Sequence, residues 1–573
     1  SFVDERTLCS FPWIDGVIRG EGEITFRELV EAYEKDRDLN TVAGLTFRRG
    51  GDIVRNPDRD LIPDLNHLPI PDYRLVPPFS VYRDACGIPR SIAILEVGRG
   101  CPHRCVYCSE SRLWRRRTRT FSVDRLVLEM RQLHEKYGAE CFLLAYDQFT
   151  AERTFVEEFC QEVITAGLNR LPWYCISRLD TVDERLLALM REAGCESMCY
   201  GIDSGSKRTL SFIRKHIDEG ILYQRVQETT DQGMVPTLSF VIGFPEEERE
   251  DVDETLKLAL KTGIQGNSNP LIQMPTVLPG TELHEKVHEG LIRGVDTYFS
   301  LGLEFDGGHR LASDEDLIRS DPFLFSSFYN VSCRGMSLSA LYTITSYFPL
   351  MVNLYPKTFL LLSIAEGRSV SELFLEWMEW VRVRENREGM TLTAPECYRH
   401  FPPFVLSVQG GDHAAGWAHL KDVLAYEKAA LEAGRFTQAE RAGNIDLCRL
   451  SNWMPLRRGN VVVRGFERNV PAIIEDMKAG VFRAEYPLDP TWLVFRQEGN
   501  QLEVTQINDF GKEFLVLCDG SATVDKITGT LFERYGENME YRAFEEACRE
   551  ALIGLWEMNL LREAPPGTVQ ERR

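Results

Sequence analysis

The sequence is short of positive charge. Its 573 residues include 66 lysines and arginines against 87 aspartates and glutamates, which gives a formal net charge of −21 at pH 7. Nucleic-acid binding needs a basic surface that displaces counterions from phosphates. The composition therefore argues against broad nucleic-acid binding and indicates a solvated acidic surface.

The sequence also lacks an unbroken apolar run of the length that a membrane requires. A spanning helix takes about 20 consecutive apolar residues. The most apolar region, 341–364, is interrupted by Pro349, Asn353, Pro356 and Lys357. It therefore predicts buried helices, and we expect no membrane span.

The cysteines do not follow the pattern of a secreted disulfide framework. There are 15 of them, an odd number scattered through a large chain, and no secretory signal opens the sequence. Both features are typical of a protein kept in a reducing cytosol, so we expect a cytoplasmic location. The chain begins at Ser1 in the middle of a pattern, and we expect further sequence upstream of it.

Short apolar runs alternate with amphipathic helical patterns from about residue 91. Such alternation predicts an α/β fold with a parallel sheet and crossover helices. Six units are too few for a closed eight-fold barrel and predict an open, partial (β/α)6 barrel resembling part of a TIM barrel. The predicted strands are 91–97, 141–146, 172–177, 197–202, 236–242 and 269–274, and the predicted helices are 122–137, 151–167, 183–193, 206–232 and 249–262.

Polar and reactive residues collect where these strands end. In barrels of this kind the chemistry lies at the carboxyl ends of the strands. Because the strands themselves are apolar, the contrast predicts one site at one rim of the barrel. The strand ends carry 99–108, Asp147, Arg178, Asp203 and Gly243.

The later regions differ from the barrel in pattern. Residues 301–465 read as a mostly helical, aromatic-rich domain, and a linker follows around 455–485. The final region opens with a hairpin pattern over 491–508 and continues with three helical patterns, which together predict a winged-helix module. Its third helix carries more acidic than basic residues, so we do not expect it to read DNA. The three predicted helices are 509–518, 522–535 and 540–558.

Cys101, Cys105 and Cys108 form a C-x3-C-x2-C pattern after the first predicted strand of the barrel. Three thiolates in one loop can bind zinc or an iron–sulfur cluster, or can be incidental. Structural zinc sites usually have four ligands, and His103 is too close in sequence to be a comfortable fourth. A redox pair of Cys105 and Cys108 leaves Cys101 unexplained. A [4Fe–4S] cluster on three cysteines leaves one iron open to a substrate or cofactor.

This pattern, with Tyr107 before its last cysteine and a partial barrel around it, resembles the radical S-adenosylmethionine (radical SAM) superfamily. The resemblance implies that Cys101, Cys105 and Cys108 hold a [4Fe–4S] cluster and that S-adenosylmethionine chelates the open iron. It also implies an electron donor such as flavodoxin or ferredoxin. The products of S-adenosylmethionine cleavage would be methionine and a 5′-deoxyadenosyl radical, which abstracts a hydrogen from an unactivated C–H bond.

Other strand ends resemble the cobalamin-dependent subgroup of that superfamily. "YDQFT" (146–150) and "GIDSGS" (201–206) stand where the subgroup typically shows D-D/N-x-F-T and G-I-E-S-G-S, so Gln148 and Asp203 depart from its pattern. The shorter Asp203 side chain changes the reach toward ribose hydroxyls by one methylene.

The same resemblance implies a set of contacts to S-adenosylmethionine. Arg178 would face the methionine carboxylate, and Gly243 would let the chain approach the adenine. Two plainer interpretations stay open: Arg178 forms a salt bridge at the rim, and Gly243 closes a turn. The implied cofactor-binding residues are Tyr107, Asp147, Arg178, Asp203 and Gly243.

The N-terminal segment resembles the same subgroup. Residues 15–33 look like the end of a cobalamin-binding, Rossmann-like domain, and 60–73 look like its linker into the barrel. The resemblance covers about residues 12–285 and implies cobalamin as a further cofactor. Most of its binding domain would lie before Ser1.

The final region resembles the PqqD-like recognition element of enzymes that modify ribosomally made peptides. The resemblance implies that the leader of a precursor peptide adds as a strand beside 502–507 and lies against 543–557. A small dimerisation or packing module is the plainer alternative. The matching residues are Asn508, Gly511, Asp519, Gly520, Thr523, Val524 and Ile527.

Together the resemblances imply a radical enzyme that modifies an unactivated C–H position of a ribosomally synthesised precursor peptide, by cobalamin-dependent C-methylation. Two alternatives stay open: a cobalamin-independent peptide epimerase or cross-linking enzyme, and a non-catalytic leader-binding scaffold with a structural cluster. The sequence identifies neither the peptide, its target residue nor the oligomeric state. The expected domains are a cobalamin-type end with linker (1–85), the barrel (86–300), a helical substrate-side domain (301–465) and the peptide-recognition module (484–565).

Overall fold

A computed structural model of the chain shows two compact units. The first comprises Ser1–Asn353 with Ser369–Glu379, and the second Leu354–Arg368 with Trp380–Arg573. The structure describes residues 2–266, 268–296, 312–385, 392–408, 417–434, 453–498, 501–537 and 539–564.

The N-terminal segment of the first unit contains a three-stranded antiparallel sheet in the order β1–β2–β3. We expected the end of a Rossmann-like domain, whose sheet is parallel. Gly50 and Gly51, both with positive φ, form a tight turn that joins β2 and β3 as an antiparallel hairpin. The Rossmann-like end expected over 15–33 stays a prediction. The elements are β1 Gly16–Ile18, β2 Leu45–Arg49, β3 Asp52–Arg55, α1 Asp4–Ser10, α2 Gly22–Glu34 and α3 Phe79–Cys86.

A six-stranded parallel sheet forms the core of the first unit. Its order is β11–β10–β9–β8–β7–β4, so consecutive parallel strands lie side by side and the sheet is open, with β4 and β11 at its edges. All six strands coincide with predicted ones to within two residues, which confirms the partial barrel. The strands are β4 Ile92–Glu96, β5 Gly98–Arg99, β6 Arg119–Thr120, β7 Cys141–Ala145, β8 Trp173–Ser177, β9 Cys195–Asp203, β10 Val235–Val241 and β11 Asn269–Gln273.

Amphipathic helices connect these strands, largely as predicted. The segment 206–232 forms two helices rather than one, because Arg214 takes a left-handed conformation (φ 59°) that ends the first. Asp218 then caps the second through the amides of Gly220 and Ile221. The helices are α4 Glu110–Leu113, α5 Val123–Tyr137, α6 Arg153–Thr165, α7 Glu184–Glu192, α8 Lys207–Ile213, α9 Glu219–Asp231, α10 Arg249–Gln265 and α11 Glu282–Val287.

The two faces of the parallel sheet differ in exposure. On the face toward the helices, side chains such as Phe142 and Tyr200 are fully buried. On the opposite face, Ile94 is 61% exposed, Leu143 40% and Ile176 45%. Ile94 and Leu143 are direct neighbours in the register of β4 and β7. The inner face of the partial barrel is therefore open and apolar along β4, β7 and β8.

The region that follows is mostly helical, as predicted. The apolar segment 341–364 forms two helices with buried side chains, including Ile344, Phe348 and Phe359. No single helix among the described residues has the length and apolarity of a membrane span, although α13 and α14 reach both when counted together. The helices are α12 Ala312–Ser320, α13 Leu338–Leu354, α14 Pro356–Ala365, α15 Val370–Glu385, α16 Ala394–Val408 and α17 Leu420–Gly434.

The C-terminal part of the second unit combines an antiparallel sheet, β13–β14–β15, with three helices. The hairpin and the three helices agree with the sequence. The linker predicted over 455–485 is wrong, because the β-branched run 461–463 pairs with β14 and Asn469 caps a helix. The elements are β12 Pro455–Arg457, β13 Val461–Phe466, α18 Val470–Lys478, β14 Thr491–Glu498, β15 Gln501–Ile507, α19 Asp509–Leu517, α20 Val524–Tyr535, α21 Tyr541–Glu557 and β16 Leu561–Glu563.

Candidate active site

The three cysteines lie on one excursion of the chain. β5 and β6 pair antiparallel, with Gly98 opposite Thr120, and close the loop 100–118 between them. Gly100 has φ 103°, and a Cβ there would overlap the carbonyl oxygen of Arg117. Only glycine fits this crossing without a shift of the backbone. The excursion leaves the sheet just after β4, and we call residues 100–118 the cysteine loop.

Cys101, Cys105 and Cys108 are free, partly exposed thiols. Burial raises the pKa of all three, that of Cys105 to about 11. Such thiols stay protonated at neutral pH unless a metal replaces the proton. Among the described residues, no three His, Cys, Asp or Glu side chains converge as a single metal ion requires. A four-iron cluster spreads its cysteine ligands over separate irons, so this donor set fits a [4Fe–4S] cluster.

The cysteine loop is docked through the backbone of Val106. Its amide donates to the carbonyl of Ile213 at 3.3 Å, and its carbonyl accepts from the amide of Leu283 at 2.9 Å. The Val106 side chain is buried in an apolar cluster with Phe244 and Val277. The stretch between Cys105 and Cys108 is therefore held between the end of α8 and the start of α11.

Tyr107 and Asp203, both predicted site residues, contact each other directly. The Tyr107 hydroxyl donates to Oδ2 of Asp203 at 2.6 Å. Burial and the nearby Asp203 carboxylate raise the pKa of Tyr107 well above its usual value, so the phenol keeps its proton. The same Asp203 oxygen accepts from Nζ of Lys215 at 2.7 Å. Sequence reasoning missed Lys215, because it follows α8 and no strand end marks its position.

Asp147 and Gln148 contact the start of the cysteine loop. Oδ2 of Asp147 accepts from the amide of Gly100 at 2.8 Å. Burial, with repulsion from Glu110, raises the pKa of Asp147 to about 6. Gln148, which departs from the subgroup pattern, is buried, and its Oε1 lies 3.9 Å from Sγ of Cys101. Both residues after β7 thus help to position the first cysteine.

Arg178 forms a bidentate ion pair at the rim. Its Nε and Nη2 donate to the two carboxylate oxygens of Asp180 at 2.9 and 2.8 Å. The guanidinium is mostly buried, and its charge acts on the thiols of Cys101 and Cys105. The rim salt bridge is therefore present, and Arg178 also lies beside the cysteines. A contact with the methionine carboxylate stays a prediction.

Gly243 occupies a sealed turn after β10. Its φ is 98°, and a Cβ there would lie 2.9 Å from Cδ1 of Leu341. Oε2 of Glu247 accepts from the amides of Gly243 and Phe244 at 2.6 and 3.0 Å. The turn alone thus explains this glycine, and a contact with adenine stays a prediction.

The open parallel sheet and the three thiols at its rim define a class of domain. Residues 95–259 match the model of the Radical SAM superfamily. The chain therefore contains a radical SAM domain over these residues, which supports an enzyme. The cofactors of such a domain are a [4Fe–4S] cluster and S-adenosylmethionine, and Cys101, Cys105 and Cys108 are the residues that would hold the cluster.

Two curated relatives match half of the chain or less. An uncharacterized methyltransferase of Pyrococcus horikoshii is 36% identical over 285 residues, which cover 50% of this chain and 60% of that protein. An anaerobic magnesium-protoporphyrin IX monomethyl ester cyclase of Rubrivivax gelatinosus is 30% identical over 267 residues, 45% of this chain and 47% of that protein. The chain thus spans less than two thirds of the length of these relatives.

A solved structure is similar over a larger part of the chain. It is that of the cobalamin-dependent S-adenosylmethionine radical enzyme OxsB with aqua-cobalamin bound. The similarity covers 77% of this chain and 68% of that one, with 14% sequence identity and a TM-score of 0.47.

Proposed function

We propose that the protein is a cobalamin-dependent radical C-methyltransferase that acts on a ribosomally synthesised precursor peptide. The observation that carries the proposal is the radical SAM domain, with three free thiols on one loop at the open rim of the sheet. Methylation is supported by the similarity to the Pyrococcus horikoshii protein, which is named a methyltransferase. Cobalamin is supported by the subgroup-like stretches 146–150 and 201–206.

The described residues suit the binding of a [4Fe–4S] cluster and of S-adenosylmethionine. Bound there, the cluster and S-adenosylmethionine supply an organic radical that abstracts hydrogen from a C–H bond. Cys101, Cys105 and Cys108 would hold the cluster. Arg178 would present a guanidinium to the methionine carboxylate, and the Asp203 carboxylate would accept from the ribose hydroxyls.

The inner face of the sheet supports an apolar target group. Ile94, Leu143 and Ile176 are exposed there, below the rim that carries the cysteines. Apolar surface left open inside a barrel is stabilised when an apolar ligand covers it. We therefore expect the modified position to belong to an aliphatic or aromatic residue of the peptide.

The cysteine loop suits an acidic electron donor. Arg104, Arg116 and Arg117 are exposed on it, although the chain as a whole carries a net charge of −21. A local basic surface beside the cluster steers an acidic partner to the point where the electron is needed. A small acidic redox protein such as flavodoxin or ferredoxin fits this requirement.

The C-terminal sheet and helices support a winged-helix, PqqD-like module. Several motif residues act within its fold: Oδ1 of Asn508 accepts from the amide of Gly511 at 2.8 Å and caps α19, and Thr523 caps α20. Asp519 accepts from the amide of Ser521 at 2.9 Å in the turn between these helices. These motif residues thus stabilise the fold of the module, and we expect other residues to contact the peptide.

The edge strand β15 offers a place for a leader peptide. Among the described residues it pairs with β14 alone, and Leu502 on it is exposed. An edge strand carries unpaired backbone donors and acceptors, which an extended peptide satisfies by adding a strand. This supports the peptide as the substrate class.

The function is tested with the full chain, reconstituted anaerobically with iron and sulfide. The mixture contains S-adenosylmethionine, methylcobalamin, dithionite as the source of electrons and synthetic peptides encoded by the short reading frames beside the gene. We expect 5′-deoxyadenosine and a peptide heavier by one CH2 unit in mass spectrometry, because a methyl group replaces a hydrogen. A peptide of unchanged mass with an inverted residue would favour an epimerase. No cleavage of S-adenosylmethionine would leave only the scaffold alternative.

A further inference from the structure

Lys215 is a buried cation to which the proposed function gives no role. It lies between α8 and α9, and its side chain is 8% exposed. Its Nζ donates to Oδ2 of Asp203 at 2.7 Å. Gly201 on β9 leaves room for it, since a Cβ there would lie 3.0 Å from Nζ. Lys215 thus occupies a place shaped for it at the carboxyl end of β9.

Asp203 joins Lys215 to the cysteine loop. Its Oδ2 accepts from both Lys215 and the Tyr107 hydroxyl, and Tyr107 lies between Cys105 and Cys108. Two hydrogen-bond donors restrict the orientation of a buried carboxylate more than a single donor does, and one of the two donors here is charged. A continuous line of contacts therefore runs from Lys215 to the cysteines.

The charge of Lys215 also acts on the thiols of Cys101 and Cys105. The carboxylate of Asp147 opposes this effect at Cys101, and that of Asp203 opposes it at Cys105. A cation near a cluster stabilises the electron that reduction adds, and the effect is large where water is excluded. The position of Lys215 thus affects both the loop and the redox centre.

We propose that Lys215 is a positioning residue of the radical SAM site. It holds Asp203 against Tyr107, and thereby sets the orientation of the cysteine loop and the electrostatic surroundings of the cluster. The inference rests on the cluster of the proposed function. Both donors converge on Oδ2 of Asp203, so Oδ1 of the same carboxylate is held in a fixed orientation.

The test compares reconstituted full-length protein with Lys215→Met, Lys215→Arg and the control Lys207→Met. Lys207 is an exposed lysine at the start of α8. EPR-monitored redox titration gives the midpoint potential, and a chelator assay gives the rate of iron release. Lys215→Met should shift the potential to more negative values and release iron severalfold faster. Lys215→Arg, which keeps the charge and a donor, should restore both, and Lys207→Met should match the wild type.

A double-variant cycle separates positioning from charge alone. Tyr107→Phe removes one hydroxyl and should also release iron faster, with a smaller change of potential. Because Lys215 and Tyr107 act through the same Asp203 oxygen, the double variant should release iron more slowly than two independent effects predict.

Wild-type potential and iron release in Lys215→Met would overturn the inference and leave the proposed function standing. If the wild type itself binds no iron, the proposed function fails instead. If Lys215→Met does not fold, Tyr107→Phe decides: iron release at the wild-type rate would then overturn the inference, and faster release would support it.

Discussion

Oε2 of Glu247 accepts a hydrogen bond from the amide of Gly243 at 2.6 Å inside the wall of the barrel. The residue is 1% exposed, and burial raises the pKa of its carboxyl to about 7. The amides of Gly243 and Phe244 and the hydroxyl of Thr209 offset part of that rise. The turn after β10 is thus sealed by a carboxyl that changes charge near neutral pH.

The contribution of Glu247 to the stability of the first unit should therefore fall as pH rises. In the folded protein Glu247 has a pKa of about 7, above the unfolded value of 4.5, so the fold binds the proton more tightly. The resulting stabilisation is fully present below about pH 4.5 and is lost as pH rises through about 7. Calorimetry should show that, as pH rises through that window, the Tm of the wild type falls relative to the Tm of Glu247→Gln. Parallel pH profiles of the two proteins would contradict this.

Anaerobically reconstituted protein should carry about four irons per chain. Replacing Cys101, Cys105 and Cys108 by Ala should abolish the cluster and the formation of 5′-deoxyadenosine, because each removes a thiolate ligand. Cys86→Ala changes an exposed thiol outside the cysteine loop and serves as the control. Iron analysis and EPR measure the outcome, and tightly bound zinc without iron would show that the site is of another kind.

Arg178→Ala should weaken the binding of S-adenosylmethionine by about 1.5–3 kcal/mol, since it removes a charged hydrogen-bonding partner. Asp203→Ala should act in the same direction. Isothermal titration of cluster-loaded protein measures both. Asp180→Asn is the matched control: it weakens the ion pair at 2.8 Å but keeps the guanidinium. If Asp180→Asn lowers the affinity as much as Arg178→Ala, the pair is only a structural feature of the rim.

Blocking the edge of β15 should uncouple peptide modification from cofactor cleavage. In an antiparallel sheet the amides of adjacent residues point to opposite sides, so one of Val504 and Thr505 directs its amide away from β14. Proline there removes a donor for an added strand and spares the existing pairing. The proline variant that keeps the wild-type Tm should cleave S-adenosylmethionine normally and lose modification of the full-length precursor. The alanine variant at that position should behave as the wild type. A fully active proline variant would show that the edge of β15 does not bind the leader.

The sequence predicts much of the barrel, because each strand is a short apolar run bounded by turns and each helix shows an apolar face. It predicts the cysteine loop for the same local reason: all three ligands and Gly100 lie within nine residues, 100–108. The sequence predicts a domain boundary at residue 484. Deleting the chain from that residue onward would nevertheless remove β14 from its pairing with β13.

What the sequence does not predict depends on contacts distant along the chain. Lys215 meets Asp203 only because α8 returns the chain to the rim of the sheet. Glu247 is one of three consecutive acidic residues, 246–248, and only its burial against Gly243 separates it from the others. The antiparallel hairpin β2–β3, joined by Gly50 and Gly51, lies beyond the segment 15–33 and is not among the predicted elements.

The order of the parallel sheet has a consequence for synthesis of the protein. β4, β7, β8, β9, β10 and β11 pair in the order in which they occur in the chain. Each strand emerging from the ribosome therefore finds its neighbour already made, one crossover earlier, and the sheet can grow from a single edge. Cys101, Asp203 and Lys215 have all been translated before β10 begins. A nascent chain can thus assemble the line of contacts that holds the cysteine loop while more than half of its residues are still to be added.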